Sequence, residues 1–193
     1  TADGGEKFTI SGNSGAITVA YNEWSHEFTG SFTKMIADGG AGDDVFDASG
    51  LVAVEIDFEG GDGKDKFTSG TGGGRMTGGE GDDTLNGALA TVDLYLDGGA
   101  GNDKLTGGTA KNTLIGGDGD DVLTGKGDED TLDGGSGVDT LNGAGGNDTY
   151  LFDTSFGEDR FRDMQGNTVL DLSGVTSDLV VDINNSGIKI STA

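Results

Sequence analysis

Large apolar residues recur singly along much of this chain, about one in every nine positions, with mostly polar neighbours. From residue 98 the sequence divides without a gap into GGAGNDKLT, GGTAKNTLI, GGDGDDVLT, GKGDEDTLD, GGSGVDTLN and GAGGNDTYL. The pattern is G-G-x-G-x-D-x-U-x, where U is a large apolar residue, and it also occurs at 39–47, 60–68 and 78–86. Because side chains alternate between the two faces of a strand, x-U-x predicts a short strand with U pointing inward, and Gly-Gly-x-Gly predicts a turn.

The repeat resembles the RTX, or haemolysin-type calcium-binding, nonapeptide of secreted bacterial toxins, proteases, lipases and adhesins. Many copies in one phase make the resemblance specific, and it spans about residues 39–162. It implies an all-β fold, a right-handed parallel β-roll in which each nonapeptide forms a turn and a short strand. Two nonapeptides make one coil, so repeats on the same side of the roll are two nonapeptides apart.

One side of such a roll, here called side A, carries an aspartate in every repeat. Its repeats start at residues 39, 60, 78, 98, 116 and 134, and TSFGEDRFR (154–162) fits the second half of a further one. The aspartates of side A are Asp44, Asp65, Asp83, Asp103, Asp121, Asp139 and Asp159. Its predicted inward residues are Phe46, Phe67, Leu85, Leu105, Leu123, Leu141 and Phe161.

The other side, side B, keeps the apolar residues but mostly lacks the aspartate. Gly74 and Asn112 are the clearest losses, and Asp130 and Asp148 restore it. The residues of side B that are predicted to face inward are Met76, Leu94, Leu114, Leu132 and Tyr150. Two longer segments, 48–59 and 87–97, contain the alternating runs Val52-Val54-Ile56-Phe58 and Val92-Leu94-Leu96, which predict longer strands or bulges.

Calcium prefers hard oxygen ligands, and carboxylates mixed with main-chain carbonyls suit it. The resemblance implies ions held between stacked loops. One loop gives the carbonyls of its second and fourth residues and its aspartate, and its neighbour gives those of its first and third residues and its own aspartate. Which loop gives which set stays open. The variable positions, such as Asp118 and Asp120, are expected to contribute only their backbone.

The candidate calcium ligands therefore lie in eight full or partial repeats of the pattern and in one half repeat. They are Gly39, Gly40, Ala41, Gly42, Asp44, Gly60, Gly61, Asp62, Gly63, Asp65, Gly78, Gly79, Glu80, Gly81, Asp83, Gly98, Gly99, Ala100, Gly101, Asp103, Gly116, Gly117, Asp118, Gly119, Asp121, Gly125, Gly127, Asp130, Gly134, Gly135, Ser136, Gly137, Asp139, Gly143, Gly145, Gly146, Asp148, Gly157 and Asp159. Six gaps on side A and one between Asp130 and Asp148 predict about seven Ca²⁺ ions.

The charge supports a cationic partner. The net charge is −24 and only 32% of the 193 residues are hydrophobic, a composition near that of disordered chains. Seven divalent ions would reduce the charge to −10, from −24 + 14. Zinc is disfavoured because the chain has no cysteine and one histidine, and magnesium because it requires a small octahedral site.

Other classes of function fit poorly. Eleven scattered Lys and Arg residues disfavour nucleic acid, and no apolar run is long enough to span a membrane. Ser25-His26-Glu27 contains the residue types of a hydrolase triad, but neighbours on a strand point to opposite faces, so the chain is not expected to be an enzyme. The chain begins with Thr1, which favours a piece of a longer protein with other domains.

The flanks depart from the nonapeptide pattern. Residues 1–38 are expected to form an N-terminal β cap, 39–162 the roll, and 163–193 a strand near Val169 and a capping hairpin. A ligand surface at Trp24 is the weaker interpretation of the first segment. The ending KISTA does not identify a type I secretion signal.

The leading prediction is a calcium-binding module of an exported bacterial protein, secreted or at the cell surface. It would be disordered at low calcium and fold on binding calcium outside the cell, which would support secretion and stability. The alternatives are a structural or adhesive module of a surface adhesin or surface layer, and an accessory module of a secreted polysaccharide-acting or lipolytic enzyme. The sequence leaves the oligomeric state open.

Overall fold

The computed structural model describes residues 6–13, 15–21, 24–153, 155–163, 165–184 and 187–192. Within them the chain forms strands and no helix. The strands are β1 (Lys7–Asn13), β2 (Ala16–Tyr21), β3 (Trp24–Thr29), β4 (Lys34–Ala41), β5 (Val45–Leu51), β6 (Glu55–Asp62), β7 (Lys66–Thr68), β8 (Gly74–Glu80), β9 (Thr84–Asn86), β10 (Leu94–Ala100), β11 (Lys104–Thr106), β12 (Asn112–Asp118), β13 (Val122–Lys126), β14 (Thr131–Ser136), β15 (Thr140–Ala144), β16 (Thr149–Leu151), β17 (Asp159–Phe161), β18 (Val169–Asp171), β19 (Leu179–Asn184) and β20 (Gly187–Thr192).

Alternate strands pair in parallel and form two sheets, which together make a β-solenoid of about eight turns. The side A sheet runs through β5, β7, β9, β11, β13, β15 and β17, and the side B sheet from β4 to β18 through the even-numbered strands. Leu105 pairs with Leu85 in one direction and with Leu123 in the other. The all-β parallel fold, in which repeats two nonapeptides apart stack, is therefore confirmed.

The core consists of two facing columns of apolar side chains. All of the predicted inward residues of side A are buried, with Phe46, Phe58 and Phe67 stacked at one end and Tyr150 against Phe161 near the other. The side B column is Phe58, Met76, Leu96, Leu114, Leu132 and Tyr150, in register from coil to coil. Each apolar side chain is therefore buried against the facing column and against the same position in neighbouring coils, as in other solenoids.

Leu94 is buried, as predicted, but it does not continue the stacked column of side B. Leu96, not Leu94, stands in the column with Met76 and Leu114, while Leu94 pairs with Gly74 and Asn112. Both leucines lie on the inner face of β10, two residues apart, so alternation alone could not distinguish them.

The long apolar runs of side B do not remain inside throughout. Val54, Ile56 and Phe58 are buried, but Val52 is 51% exposed and Val92 is 50% exposed. Both exposed valines lie in the turns that precede β6 and β10 rather than in the strands. The two longer segments thus replace the six-residue turn with a different, apolar turn.

Antiparallel strands cover both ends of the side A sheet. At one end β1 pairs in parallel with β5, and β2 and β3 follow it as an antiparallel meander. At the other end the hairpin of β19 and β20 pairs with β17. β1 and β20 thus pair directly with strands of the stack. The division into three domains at residues 38 and 162 stays a prediction.

Candidate metal centre

The aspartates of side A form a ladder of hydrogen bonds along the solenoid. The Oδ1 atom of Asp121 accepts a hydrogen bond from the backbone N–H of Asp103 at 2.7 Å, and the backbone N–H of Asp121 donates to Oδ1 of Asp139 at 2.8 Å. The same contact joins every successive pair from Asp44 to Asp159. All seven carboxylates are at most 3% exposed, so the fold holds a buried column of acidic groups.

The second carboxylate oxygen has no partner in most of these aspartates. The Oδ2 atoms that are buried without a hydrogen bond, among the residues the structure describes, belong to Asp44, Asp65, Asp83, Asp103, Asp121 and Asp139 on side A and to Asp130 and Asp148 on side B. A buried carboxylate oxygen without a partner is costly. A regular column of them indicates a group that accepts their electrons, such as a cation.

The first glycine of each repeat leaves room beside that oxygen. A Cβ atom built on Gly98 would overlap Oδ2 of Asp103 and would lie 2.5 Å from the carbonyl oxygen of Gly116 in the next coil. Gly39, Gly60, Gly78 and Gly116 have equivalent surroundings. Because glycine has no Cβ, an aspartate oxygen and a carbonyl oxygen of the following loop converge on space that no side chain fills.

The carbonyl groups of each loop point alternately to the next coil and to the preceding coil. A Cβ on Gly117 would overlap the carbonyl oxygen of Gly99, and one on Gly119 that of Gly101. The second and fourth carbonyls of a loop therefore point to the next coil. The first and third point back, since the Gly116 carbonyl lies beside Gly98 and the Asp118 carbonyl accepts a hydrogen bond from the N–H of Gly101 at 2.7 Å.

The direction of the carbonyls indicates which loop of a gap offers its second and fourth carbonyls and which offers its first and third. Between the loops at 98 and 116, the earlier loop offers the carbonyls of Gly99 and Gly101, and the later loop those of Gly116 and Asp118. Two aspartates complete a set of oxygens within the range of about six to eight that calcium uses. No cluster of three or more His, Cys, Asp or Glu side chains lies close enough to hold a metal among the described residues, so main-chain oxygens are essential to the fit.

Without an ion, burial raises the pKa of these carboxyl groups. The pKa rises from 3.8 to about 7 for Asp83, Asp121 and Asp159 and to about 6 for Asp103 and Asp130. Desolvation is the largest cause, and neighbouring aspartates add to it, while hydrogen bonds from the backbone or from Asn112 act in the opposite direction. The pKa of Asp65, Asp139 and Asp148 is also raised by burial.

Side B continues the same ladder over only part of its length. The backbone N–H of Asp130 donates to Oδ1 of Asp148 at 2.9 Å, and that of Asn112 donates to Oδ1 of Asp130 at 2.8 Å. Gly125 and Gly143 stand beside the Oδ2 atoms of Asp130 and Asp148, as Gly98 does beside Asp103. In the preceding coils the same register position holds Leu94, Gly74 and Ile56, so the polar column gives way to an apolar one.

The last side A repeat differs from the others. Asp159 accepts a hydrogen bond from the N–H of Asp139 at 3.1 Å, and its carboxyl group also contacts that of Asp139. A Cβ on Gly157 would overlap the Gly137 carbonyl oxygen, as at the second and fourth glycines elsewhere. Thr154, the first residue of this half repeat, lies outside the described residues.

One ladder member was missed by the sequence analysis. The backbone N–H of Glu6 donates to Oδ1 of Asp44 at 2.8 Å, so Glu6 occupies the aspartate position one coil earlier. The signal was present in Glu6-Lys7-Phe8-Thr9, which parallels Asp65-Lys66-Phe67-Thr68. Glutamate in place of aspartate, outside the glycine pattern, concealed it.

A second ladder runs along the exposed fifth positions of side A. Oδ1 of Asp82 accepts a hydrogen bond from the backbone N–H of Asn102 at 3.0 Å. Oδ1 of Asn102 accepts one from the backbone N–H of Asp120 at 2.8 Å, and Oδ1 of Asp120 accepts one from that of Val138 at 2.9 Å. Asp120 thus uses its side chain to join coils, whereas the expectation that calcium binding needs only its backbone stays a prediction. Asp118 also uses its side chain, which accepts a hydrogen bond from the Ser136 hydroxyl at 2.8 Å. These outer side chains link neighbouring coils by hydrogen bonds.

Comparison with known families agrees with this geometry. The family described as the RTX calcium-binding nonapeptide repeat matches in four copies, over residues 59–89, 95–123 and 115–150. The matched repeats are RTX repeats. No curated protein and no solved structure matches the chain. The match does not extend to the repeat at 39–47 or to 154–162, which the ladder of aspartates nevertheless includes.

RTX repeats bind calcium and are typical of secreted bacterial proteins. An RTX roll is a structural module, not a catalytic one. Ser25, His26 and Glu27 are consecutive residues of β3, and the His26 ring packs edge-on against Phe28 with ring centroids 4.6 Å apart. No helix suited to crossing a bilayer occurs in the part of the chain that the structure describes.

Proposed function

We propose that this chain is a calcium-dependent folding module that binds about seven Ca²⁺ ions. Six ions would lie between successive loops of side A, from Asp44 to Asp159, and one between Asp130 and Asp148 on side B. The observation that carries the proposal is the column of buried Oδ2 atoms, each beside the first glycine of its repeat. In five side A repeats a carbonyl of the following loop also points to that glycine. When bound, calcium supplies the positive charge that these oxygens otherwise lack.

Each ion would be held by residues of two coils. Between the loops at 98 and 116 these are the carbonyls of Gly99, Gly101, Gly116 and Asp118 with the carboxylates of Asp103 and Asp121. The same positions serve in the other side A gaps. Because every interior aspartate belongs to two gaps, ions in neighbouring gaps stabilise one another's sites.

Charge gives this binding its effect on folding. With a net charge of −24, an ion-free solenoid would hold its carboxylates in a closely spaced column, and repulsion opposes that arrangement. Glycine, which loses the most backbone entropy on ordering, adds to the cost. The chain is therefore expected to be disordered without calcium and to fold as the ions bind.

Such a switch suits an exported bacterial protein. Extracellular calcium modules bind with Kd values of about 10⁻⁴ to 10⁻³ M, which would keep the chain unfolded at low calcium and let it fold outside the cell. Folding after export would support secretion and rigidify adjoining domains. The adhesive and enzyme-accessory alternatives concern what a longer chain does with this module, and they stay predictions.

Two triple variants of equal charge test the proposal. One replaces the inner residues Asp83, Asp103 and Asp121 with asparagine. The other replaces three exposed fifth-position residues with asparagine: Asp82, Asp120 and Asp43, whose Oδ1 accepts a hydrogen bond from the N–H of Lys64 at 2.9 Å. Circular dichroism of the wild type should change from disordered to β on adding CaCl₂ to chelated protein, and MgCl₂ should not replace it. Native mass spectrometry should count about seven calcium ions in the wild type and the outer variant.

The inner variant should bind several ions fewer than the outer variant. Both lose three carboxylates, so a difference in ion number cannot come from net charge. A wild type that shows the full β spectrum in chelator would refute ion-coupled folding. Equal ion counts in the two variants would refute the assignment of the sites to the inner column.

A further inference from the structure

Asn112 occupies the aspartate position of a side B loop and is completely buried. Its Nδ2 atom lies 2.6 Å from the Ala110 carbonyl oxygen, 2.8 Å from Oδ1 of Asp130, and 3.4 Å from the carbonyl oxygens of Gly108 and Gly125. Its Oδ1 atom faces the other way and accepts a hydrogen bond from the N–H of Gly108 at 3.1 Å. The amide is therefore oriented with its hydrogens toward four oxygens.

These oxygens correspond to the donor set of a side A gap. Gly108 and Ala110 are the second and fourth residues of the earlier loop, Gly125 is the first residue of the later loop, and Asp130 is the later aspartate. Nδ2 also lies beside Gly107, where the aspartate repeats place Oδ2 beside their first glycine. At this position the chain thus presents a hydrogen-bond donor where the other repeats present an unpartnered acceptor.

We propose that the Asn112 side chain replaces a calcium ion in the gap between the loops at 107 and 125. The inference rests on calcium binding in the aspartate gaps. The amide carries two N–H donors and no charge, so it bonds Oδ1 of Asp130 and the Ala110 carbonyl oxygen without an ion. Its close contacts with Ala110 and Asp130 leave no room for a cation among the same oxygens.

The position of Asn112 gives this substitution a structural role. The preceding coils hold Leu94 and Gly74 at this register, and the following coils hold Asp130 and Asp148. Asn112 is the boundary between the apolar part of the side B column and its calcium-binding part. It sets where calcium binding begins on side B, and its gap is held together by hydrogen bonds without an ion.

Restoring the carboxylate should create a new calcium site. Asn112→Asp should bind one calcium ion more than the wild type in native mass spectra recorded at saturating calcium, because Oδ2 would replace the donor Nδ2 among four oxygens that occupy ligand positions of a side A gap. Asn102→Asp is the matched control: it adds the same charge at an exposed position of the outer ladder, and it should add no ion.

The outcomes separate this inference from the proposed function. An unchanged ion count in Asn112→Asp, with the wild type still binding calcium, would overturn the role of Asn112 and leave the aspartate sites intact. That result would also arise if Asn112 already ligated calcium through its oxygen. A wild type that binds no calcium would refute the proposed function itself.

A measurement on the wild type covers the case in which Asn112→Asp does not fold. In ¹H–¹⁵N spectra of the calcium-loaded protein, the side-chain NH₂ of Asn112 should exchange with solvent at least about tenfold more slowly than that of exposed Asn102, because both of its hydrogens are buried and bonded. Exchange of the two groups at the same rate would overturn the proposal.

Discussion

The two oxygens of a ladder aspartate have different tasks. Oδ1 of Asp121 accepts a backbone hydrogen bond from the preceding coil, whereas Oδ2 is buried and has no partner. The first oxygen fixes the side chain in position, and the second is the oxygen that we propose binds calcium. Neighbouring Asp120 is exposed and uses its Oδ1 to accept from Val138.

Replacing Asp121 should therefore affect calcium binding far more than replacing Asp120. Asp121→Ala removes a ligand from two gaps, so we expect up to two ions fewer and a calcium midpoint of folding raised several-fold. Asp120→Ala removes one exposed hydrogen bond, worth about 1 kcal/mol, and should leave the ion count unchanged. Calcium titrations followed by circular dichroism compare the two, and equal midpoints would contradict the assignment.

Asn112→Ala is a poor control for that experiment, although Asn112 lacks a carboxylate. The structure gives its buried side chain several hydrogen bonds, including two that involve Asp130 or Ala110 at 2.8 Å or less. Its removal leaves those acceptors unpaired, which costs about 1–3 kcal/mol for a buried group. A loss of stability in Asn112→Ala would then reflect hydrogen bonds and not calcium.

The glycines of the side B loops differ in their surroundings. A Cβ on Gly125 would overlap Oδ2 of Asp130, whereas one on Gly145 in the next coil would lie 3.3 Å from the nearest atom, the Lys126 carbonyl oxygen. Neither glycine has a positive φ, so backbone strain does not distinguish them. By analogy with Gly98, the space beside Gly125 faces the following loop, where we propose the side B ion.

Gly125→Ala should remove the side B ion and destabilise the calcium-loaded protein by about 1–3 kcal/mol, the usual cost of overpacking a buried site. Gly145→Ala should change stability by less than about 1 kcal/mol, since alanine also restricts the unfolded chain. Urea unfolding at saturating calcium and an ion count by native mass spectrometry provide the readouts. Retention of the full ion count in Gly125→Ala would show that the ion does not use this space.

At the scale of the strand, alternation divides core from surface. In β13, Leu123 is completely buried between Leu105 and Leu141, and adjacent Val122 is 42% exposed. Leu123→Ala should cost about 2–5 kcal/mol, because a cavity in a column of stacked side chains has few ways to close. Val122→Ala should change stability by about 0.5 kcal/mol or less. Comparable losses in urea unfolding would indicate that the strand faces are assigned wrongly.

The nonapeptide period predicted most of this architecture. Spacing fixed which strands stack, and alternation fixed which face of each short strand is buried, as Leu85, Leu105 and Leu123 show. In segment 87–97 Leu94 is buried, as predicted, but the pattern did not show whether Leu94 or Leu96 continues the column. The pairing of β10 with β8 and β12 places Leu96 in the column, opposite Met76 and Leu114. That register depends on how the coils stack, which the local pattern does not contain.

The candidate site was less predictable than the fold. The aspartate column follows directly from the repeat, but the direction of the carbonyls depends on how stacked loops face each other. The hydrogen bonds between Asn112 and Asp130, the outer ladder and the place of Glu6 depend on contacts about 18 residues or more apart in sequence. Such contacts become visible only once the coils are stacked.

At the scale of the whole molecule, the solenoid has no single compact core to oppose its charge. Each coil contacts its neighbours, and the ladder repeats the same buried carboxylate from Asp44 to Asp159. Repulsion therefore accumulates along the column, as does the stabilisation from any cation that neutralises it. Protons and calcium ions both neutralise it, and they compete for the same oxygens.

The stability of the ion-free solenoid should consequently increase as the pH falls. In the folded chain the pKa is about 7 for Asp83 and Asp121 and about 6 for Asp103, against 3.8 ordinarily. The folded state thus binds protons that the unfolded state does not, so its stability rises from about pH 7 down to pH 4 and is lost as the pH rises through 6 to 7. In chelator, β structure should appear between pH 7 and 5, a range that stays above the pI of about 4.1.

Calcium binding should respond to pH with the opposite sign. A protonated carboxyl group is a poor ligand, so the calcium midpoint should rise as the pH falls below about 7. The inner triple variant, Asp83, Asp103 and Asp121 to asparagine, should lose much of the pH dependence in chelator, and the outer triple variant should keep it. Circular dichroism of both variants from pH 8 to 5, with and without calcium, makes the comparison. An ion-free chain that stays disordered to pH 5, or identical profiles in the two variants, would show that the buried column does not control folding.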